Sequence, residues 1–411
     1  MKKVIAVRKE SENEYLVYYY EQRTTTRVNE IGAFVLEQFL NENKSIDEIS
    51  IEISNKFDAE NSDIHKDVRS FLCDIYKRIT IANINESEQR MMDRPIGAEI
   101  EITTACNLRC KHCFQGEYPE KYMSLEKFKN VVDILKQNDV YEVNLVGGEI
   151  FKHKDVMEML KYLDDNEMAI TIVTNAVGIT EEIMNVLKSM KNLYVLVSVD
   201  GTRELHDQIR GKGQFDKIIP KVRKMYEEGM EVEILCTINA INVKHVKEIA
   251  EMGNELGVPV NFNLFKPFSK KHEYLIVNPD EFFGAVEDLL KMRVHEGYRI
   301  GISDASLSAY MMGLPEKNEC TATMAGIVIN TDGKMLTCPY LLEAGYYSKD
   351  QLPDFDKDFL KEWKHGKIFT EFRQHGQKSC QARSLIFSKN IEAGDPYDLN
   401  SYKKYREKMA R

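Results

Sequence analysis

Thr103-Thr104-Ala105-Cys106-Asn107-Leu108-Arg109-Cys110-Lys111-His112-Cys113 completes the apolar run Ala98–Thr103 and carries three cysteines, at spacings of three and then two intervening residues. Three thiolates so spaced wrap one loop around one face of a cubane iron–sulfur cluster and leave one iron without a protein ligand. An iron left open in this way can bind a substrate or a second cofactor. Three thiolates with His112 as a fourth ligand, holding zinc, are the alternative.

Outward from this loop the chain alternates. Strands are predicted at Ala98–Thr103, Val143–Val146, Ile170–Thr174, Tyr194–Val199, Val232–Ile238, Val260–Phe265 and Ile300–Ser303, with amphipathic stretches such as Leu125–Gln137 and Val156–Leu163 between them. A βα repeat of this kind is an α/β protein with a parallel sheet, long enough for a partial or full barrel over residues 97–311. Chemistry in such folds sits at the C-terminal ends of strands. Gly147-Gly148-Glu149 ends the second strand, Thr174-Asn175-Ala176 the third and Ser198-Val199-Asp200-Gly201 the fourth, with His206 and Arg210 just beyond. Glycines allow close approach to a ligand, Glu149 can accept from an ammonium, and Arg210 can pair with a carboxylate. Singly these are weak signals: a strand-end turn explains Asp200, and a surface salt bridge explains Arg210.

Residues 1–82 read as a unit of their own. Val4–Arg8, Tyr15–Tyr20 and Thr24–Val28 are short β-prone runs, and three helical patterns follow. Ile31, Phe34, Val35, Phe39 and Leu40 keep a helical period; Ser45-Ile46-Asp47-Glu48 is a capping box; Ile64, Val68, Phe71, Leu72 and Ile75 share a face. This is a winged-helix-like α+β unit, joined by a polar linker at 83–96. In 312–411 a β-hairpin is predicted from Gly326–Asn330 and Lys334–Thr337, followed by a polar, loop-rich tail.

Composition narrows the function. Of 411 residues, 66 are acidic and 56 are Lys or Arg; the net charge of −10 argues against a nucleic-acid binder. No apolar run reaches the ~20 residues of a membrane span, and the N-terminus lacks the pattern of a signal peptide. A cytoplasmic location is expected, where eight cysteines stay reduced and clustered ones serve metal or chemistry. Cys73, on a helical apolar face, and Cys236, inside a strand, are expected in the core.

The loop at Cys106, Cys110 and Cys113 resembles the signature of the radical S-adenosylmethionine (SAM) superfamily, and the strand-end motifs follow in that family's order. The resemblance implies a partial (β/α)6 barrel and a [4Fe-4S] cluster whose open iron is chelated by SAM. Reductive cleavage of SAM then gives a 5′-deoxyadenosyl radical that abstracts hydrogen. It implies that Gly147, Gly148 and Glu149 hold the methionyl amine, and that Ser198 and Asp200 contact the ribose. Arg210 would pair with the SAM carboxylate, Asn175 stands where family members often carry a similar Asn, and His112 stands where an aromatic residue is usual, beside adenine. An external reductant such as flavodoxin or ferredoxin is implied as well.

Cys320, Gly333 and Cys338, with Cys380-Gln381-Ala382-Arg383, resemble parts of the SPASM/twitch extensions that carry auxiliary clusters in peptide-modifying members. The middle cysteine group of a full SPASM domain is missing, so one auxiliary iron–sulfur cluster on Cys320, Cys338 and Cys380 is implied. Its fourth ligand is left open among Glu343, His365, His375, a small molecule and a substrate thiolate. Residues 1–82 resemble the PqqD-like recognition element of ribosomal peptide maturases, where a leader peptide adds to the sheet edge and Tyr18-Tyr19-Tyr20 would offer apolar contacts. The implied function is a radical SAM maturase of a precursor peptide, with a Cys thioether crosslink as first product and no protein residue assigned as general base. Epimerisation, carbon–carbon crosslinking, backbone excision, action on a protein or small molecule as in sulfatase maturases, and a zinc-stabilised binding module are the alternatives.

Overall fold

Two-residue alternation of apolar and polar side chains shapes both sheets. The computed structural model describes residues 3–57, 64–81, 91–113, 119–268, 270–304, 320, 322–374 and 380–409. The chain divides into two units, Met1–Asp93 and Arg94–Arg411.

In the first unit β1 (Ile5–Lys9), β2 (Tyr15–Tyr19) and β3 (Thr24–Val28) form an antiparallel sheet in that order, with Val7 opposite Val17 and Val17 opposite Thr26. Helix α1 (Glu30–Leu36) starts at Asn29, whose side chain accepts from Gly32 N at 2.8 Å, and runs into a π-helical turn, Glu37–Asn41. The capping box opens α2 (Ile46–Phe57): Ser45 N donates to Glu48 at 2.8 Å and Glu48 N to Ser45 Oγ at 3.3 Å. With α3 (Ile64–Ile81) these helices bury Ile5, Val17, Tyr19, Leu36 and Ile75 in one cluster and Val35, Ile49, Ile53 and Val68 in another.

Two expectations fail here. Tyr18, Tyr19 and Tyr20 are buried on and just after the central strand, so they are core residues and not a docking surface. Cys73 is exposed, because the buried stripe of α3 runs through Val68 and Ile75 and leaves position 73 off the face.

The second unit is built on a nine-stranded sheet. Its strands are β4 (Gly97–Thr103), β5 (Glu142–Gly147), β6 (Ala169–Thr174), β7 (Leu193–Ser198), β8 (Val232–Ile238), β9 (Val260–Leu264), β10 (Ile300–Ile302), β11 (Gly326–Ile329) and β12 (Met335–Leu336). The spatial order is β10-β9-β8-β7-β6-β5-β4-β11-β12. The seven predicted βα strands match β4–β10 to within a residue at either end. The partial barrel forms as implied, and so does the hairpin, whose β11 adds in parallel to β4 and widens the sheet.

Ala98, Ile100, Val143, Leu145, Ile170, Ile172, Val195 and Val197 are fully buried on one face, under the helices that follow each strand. The other face carries Glu99, Asn144, Thr171 and Tyr194, paired strand to strand in register.

The tail is not loop-rich. It folds into helices Pro339–Glu343, Phe359–His365, Lys367–Gln374, Gln381–Ser388 and Leu399–Met409. These are too short to stand alone and are held by buried Phe359, Trp363 and Phe369, a tertiary effect that local sequence does not display. Among the described residues no helix is long and apolar enough to cross a membrane.

Candidate active site

The cysteine loop is fastened at its foot. Thr103 Oγ1 donates to Lys121 O at 2.8 Å and accepts from Ala105 N at 3.0 Å, while Thr104 Oγ1 donates to Pro119 O at 2.8 Å. Farther along, Lys111 N donates to Ile209 O at 3.0 Å. The diglycine serves this loop directly. Gly148 N donates to Thr103 O and Glu149 N to Ala105 O, each at 2.8 Å. A Cβ at Gly147 would lie 2.4 Å from Thr103 O, and one at Gly148 2.4 Å from Ala105 O. Only glycine lets β5 press this closely on the loop.

Glu149 is buried, accepting from Thr174 Oγ1 at 2.7 Å, Asn175 N at 2.7 Å and Phe151 N at 3.2 Å. Burial pushes its pKa up, and those donors pull against the shift. Asn175 Nδ2 donates to Asn107 Oδ1 at 2.7 Å and lies 3.9 Å from Cys106 Sγ, which brings the third strand end to the loop.

Asp200, fully buried, accepts from Arg210 Nε at 2.6 Å and from Thr237 N at 2.9 Å. Arg210 Nη1 stands 3.8 Å from Cys110 Sγ. The two residues assigned separately to ribose and carboxylate are thus paired with each other. His112 Nε2 is 3.7 Å from Asp200 Oδ2, its buried Nδ1 has no hydrogen-bond partner, and burial pulls its pKa down to about 4, so the ring is neutral. Ser198, buried, ends β7 beside this group.

Burial pushes the Cys110 thiol up to about 11 against the pull of Arg210, and pushes Cys106 up as well; Cys113 acts on both through its charge. Buried thiols that resist losing their protons lose them to a metal, and a thiolate-rich set beside one arginine suits an iron–sulfur cluster. Among the described residues no three Cys, His, Asp or Glu side chains are placed to hold one metal ion. The fit therefore rests on the donor set and its charge coupling.

The second set of cysteines lies in the tail. Cys338 caps helix Pro339–Glu343, its N–H donating to Tyr347 Oη at 3.2 Å and its carbonyl accepting from the same hydroxyl at 2.9 Å. Cys380 caps helix Gln381–Ser388. Burial pushes Cys320 up to about 11 and Cys338 to about 12, and the charge of Cys380 adds to both. Of the fourth-ligand candidates, His365 is exposed at the end of its helix, Glu343 feels Lys349 and Glu101, and His375 lies outside the described residues.

Sequence reasoning passed over two groups here. Lys266, just past β9, donates to Asn263 Oδ1 at 3.2 Å and lies 5.2 Å over the Tyr340 ring. Arg383, fully buried, pairs with Asp304 and Asp395. A lysine at a strand end was a readable signal. The partners of Arg383, distant in sequence, were not.

Residues 100–260, which hold the loop and most of the parallel sheet, are a radical SAM domain: they match the family model of the radical SAM superfamily. More particularly, the same chain carries a PqqD domain ahead of its radical SAM domain, since residues 14–78 match the model for coenzyme PQQ synthesis protein D. The mycofactocin maturase MftC of Mycolicibacterium smegmatis is 26% identical over 305 residues, 72% of this chain and 76% of MftC. AlbA, the antilisterial bacteriocin subtilosin biosynthesis protein of Bacillus subtilis, is 27% identical over 267 residues, 64% of this chain and 58% of AlbA. The crystal structure of Streptococcus suis SuiB bound to precursor peptide SuiA has the same fold, with a TM-score of 0.71 at 15% identity over 96% of this chain and 98% of SuiB. Radical SAM proteins use a [4Fe-4S] cluster and SAM, and the trio at Cys106, Cys110 and Cys113 has the donors for that cluster.

Proposed function

We propose that this enzyme matures a ribosomally synthesised precursor peptide. Residues 1–82 recognise the leader, residues 97–311 hold the reacting segment at the mouth of the sheet, and residues 312–411 bring a second thiolate group to it, with 83–96 as linker. The observation that carries this reading is a PqqD domain in the same chain as a radical SAM domain. The company it keeps agrees: two relatives are named for peptide maturation or bacteriocin biosynthesis, and SuiB was solved with a precursor peptide.

In this reading Cys106, Cys110 and Cys113 hold the [4Fe-4S] cluster, and Cys320, Cys338 and Cys380 hold one auxiliary cluster. When bound, these groups supply one-electron chemistry: reductive cleavage of SAM at the first, electron uptake at the second. The chain supplies placement. Gly147 and Gly148 press the loop into position, Glu149 and Asn175 line the SAM amine side, and His112, Ser198, Asp200 and Arg210 line the opposite side. A flavodoxin or ferredoxin would deliver the electron, and a reducing cytoplasm would suit six ligand thiolates.

A thioether product balances. One hydrogen atom leaves a substrate carbon, one proton leaves a substrate cysteine thiol, one C–S bond forms and one electron is released. A cluster on the second thiolate group would take that electron.

The test uses the full chain, reconstituted anaerobically with iron and sulfide, then given dithionite, SAM and a candidate Cys-bearing precursor peptide with its leader. Mass spectrometry should find a peptide lighter by two hydrogens and 5′-deoxyadenosine in step with it. Deoxyadenosine with an unaltered peptide, and equal turnover of a leaderless protein substrate, would overturn the assignment.

A further inference from the structure

Arg383 is a fully buried cation with all three guanidinium nitrogens engaged. Its Nη1 and Nη2 donate to Asp304 at 2.6 and 2.9 Å, and its Nε and Nη2 donate to Asp395 Oδ2 at 2.9 and 2.7 Å. All three residues are essentially without solvent exposure. Asp304 lies two residues past β10, on the barrel; Arg383 and Asp395 belong to the tail. The same Asp395 Oδ2 accepts from Cys380 N at 3.3 Å. Cys380 O in turn accepts from Ser384 N at 3.0 Å and Ser384 Oγ at 3.2 Å, in the helix that bears Arg383.

Bulk stability does not explain such a cluster. Two carboxylates and one guanidinium lose their hydration when buried, and an apolar trio of similar volume holds a fold as well or better. What a planar fork adds is direction: two bidentate pairs fix a helix in rotation and translation, which a lysine or a leucine does not. The element so fixed begins at Cys380. Supporting partners of a ligand's backbone and side chain govern how well a metal site assembles.

We propose that Arg383 is the positioning residue of the second cysteine group, pinning Cys380 to the end of β10 so that it can join Cys338 and Cys320 on one cluster. This rests on reading those three cysteines as ligands of one auxiliary iron–sulfur cluster. Arg383 touches neither substrate nor reacting atoms. Its effect passes through the Cys380 backbone.

The experiment places every variant in a background with Cys106, Cys110 and Cys113 changed to Ala, so that only iron on the second group is counted. Arg383→Lys keeps the charge and loses the fork. A second variant combines Arg383→Met, Asp304→Asn and Asp395→Asn, which removes all three charges and guards against misfolding caused by an unpaired buried carboxylate. Iron and sulfide per chain, the rate of iron loss to a chelator, and the electron paramagnetic resonance (EPR) spectrum of the reduced cluster are measured beside thermal unfolding of the iron-free proteins. Iron loss should quicken roughly tenfold in both variants, the lower end of what removing a ligand's support costs, and the EPR spectrum should change while the iron-free melting temperature of the neutral variant stays near that of the background. A background holding no iron defeats the underlying reading, whatever Arg383 does. A background that holds iron, with both variants retaining it at the same rate and with the same spectrum, overturns the role of Arg383.

Discussion

Arg210 bridges Asp200 and the cysteine loop: its Nε donates to Asp200 Oδ2 at 2.6 Å while its Nη1 lies 3.8 Å from Cys110 Sγ. Asp200, at the end of β7, is buried, and despite that burial Arg210, His112 and the Thr237 amide hold its pKa below the ordinary carboxylate value. A depressed carboxylate gives stability that is present above its unfolded pKa and lost as pH falls through its lower folded one, so this pair is intact at neutral pH.

Arg210→Met should therefore be costly in two ways. It leaves a buried carboxylate without its cation, a loss of about 3–5 kcal/mol, and it removes the cation nearest Cys110. Thermal unfolding of the iron-free protein should show the first effect, and slower cluster loading with reduced deoxyadenosine formation the second. Wild-type stability in the variant would mean that Asp200 is satisfied without Arg210.

Gly148→Ala should abolish loading of the first cluster with little change elsewhere. The added Cβ would sit 2.4 Å from Ala105 O, against backbone that also accepts from Glu149 N, so the loop must move. Gly326→Ala is the control, since its Cβ would meet nothing nearer than 3.9 Å. Iron content after reconstitution distinguishes them: a Gly148→Ala protein loaded like Gly326→Ala would show that close approach is dispensable.

Glu99 gives a pH signature. Burial on the inner face, with Glu101 beside it, raises its pKa from 4.5 to about 7. A carboxyl so raised contributes stability that is complete below its unfolded value and lost as pH rises through about 7. Glu99→Gln should match wild type near pH 5 and exceed it near pH 8 by on the order of 1 kcal/mol. Unfolding curves at the two pH values test this, and an equal difference at both would assign the effect to packing and not to charge.

Much of this architecture was legible because its signals are local. The cysteine spacing, the alternation that sends Ile100 to one face of the sheet and Glu101 to the other, and the capping box at Ser45 each lie within a few residues. What failed to show depends on contacts between distant residues. Nothing near Gly326 says that β11 will lie beside β4, and nothing near Arg383 names Asp304, 79 residues away. The Tyr18–Tyr20 run misled for a related reason. Aromatic residues suit a docking face and a core strand equally, and only strand order decides between them.

That strand order also says where a peptide would add. On β1, Asn41 accepts from Val4 N and Ile5 N at 3.1 Å and donates to Ile5 O at 3.1 Å, so a side chain already occupies backbone groups at that edge. β2 is paired on both sides. β3, half-buried along its whole length, pairs with β2 alone among the described strands, which leaves its outer edge for an incoming strand. Adding the full precursor peptide should slow amide hydrogen exchange across Thr24–Val28. The already protected β2 should change little, and the leaderless core peptide should have no such effect. Protection by the core peptide alone, or protection confined to the second unit, would move recognition away from the PqqD domain and leave the radical SAM domain to select its substrate unaided.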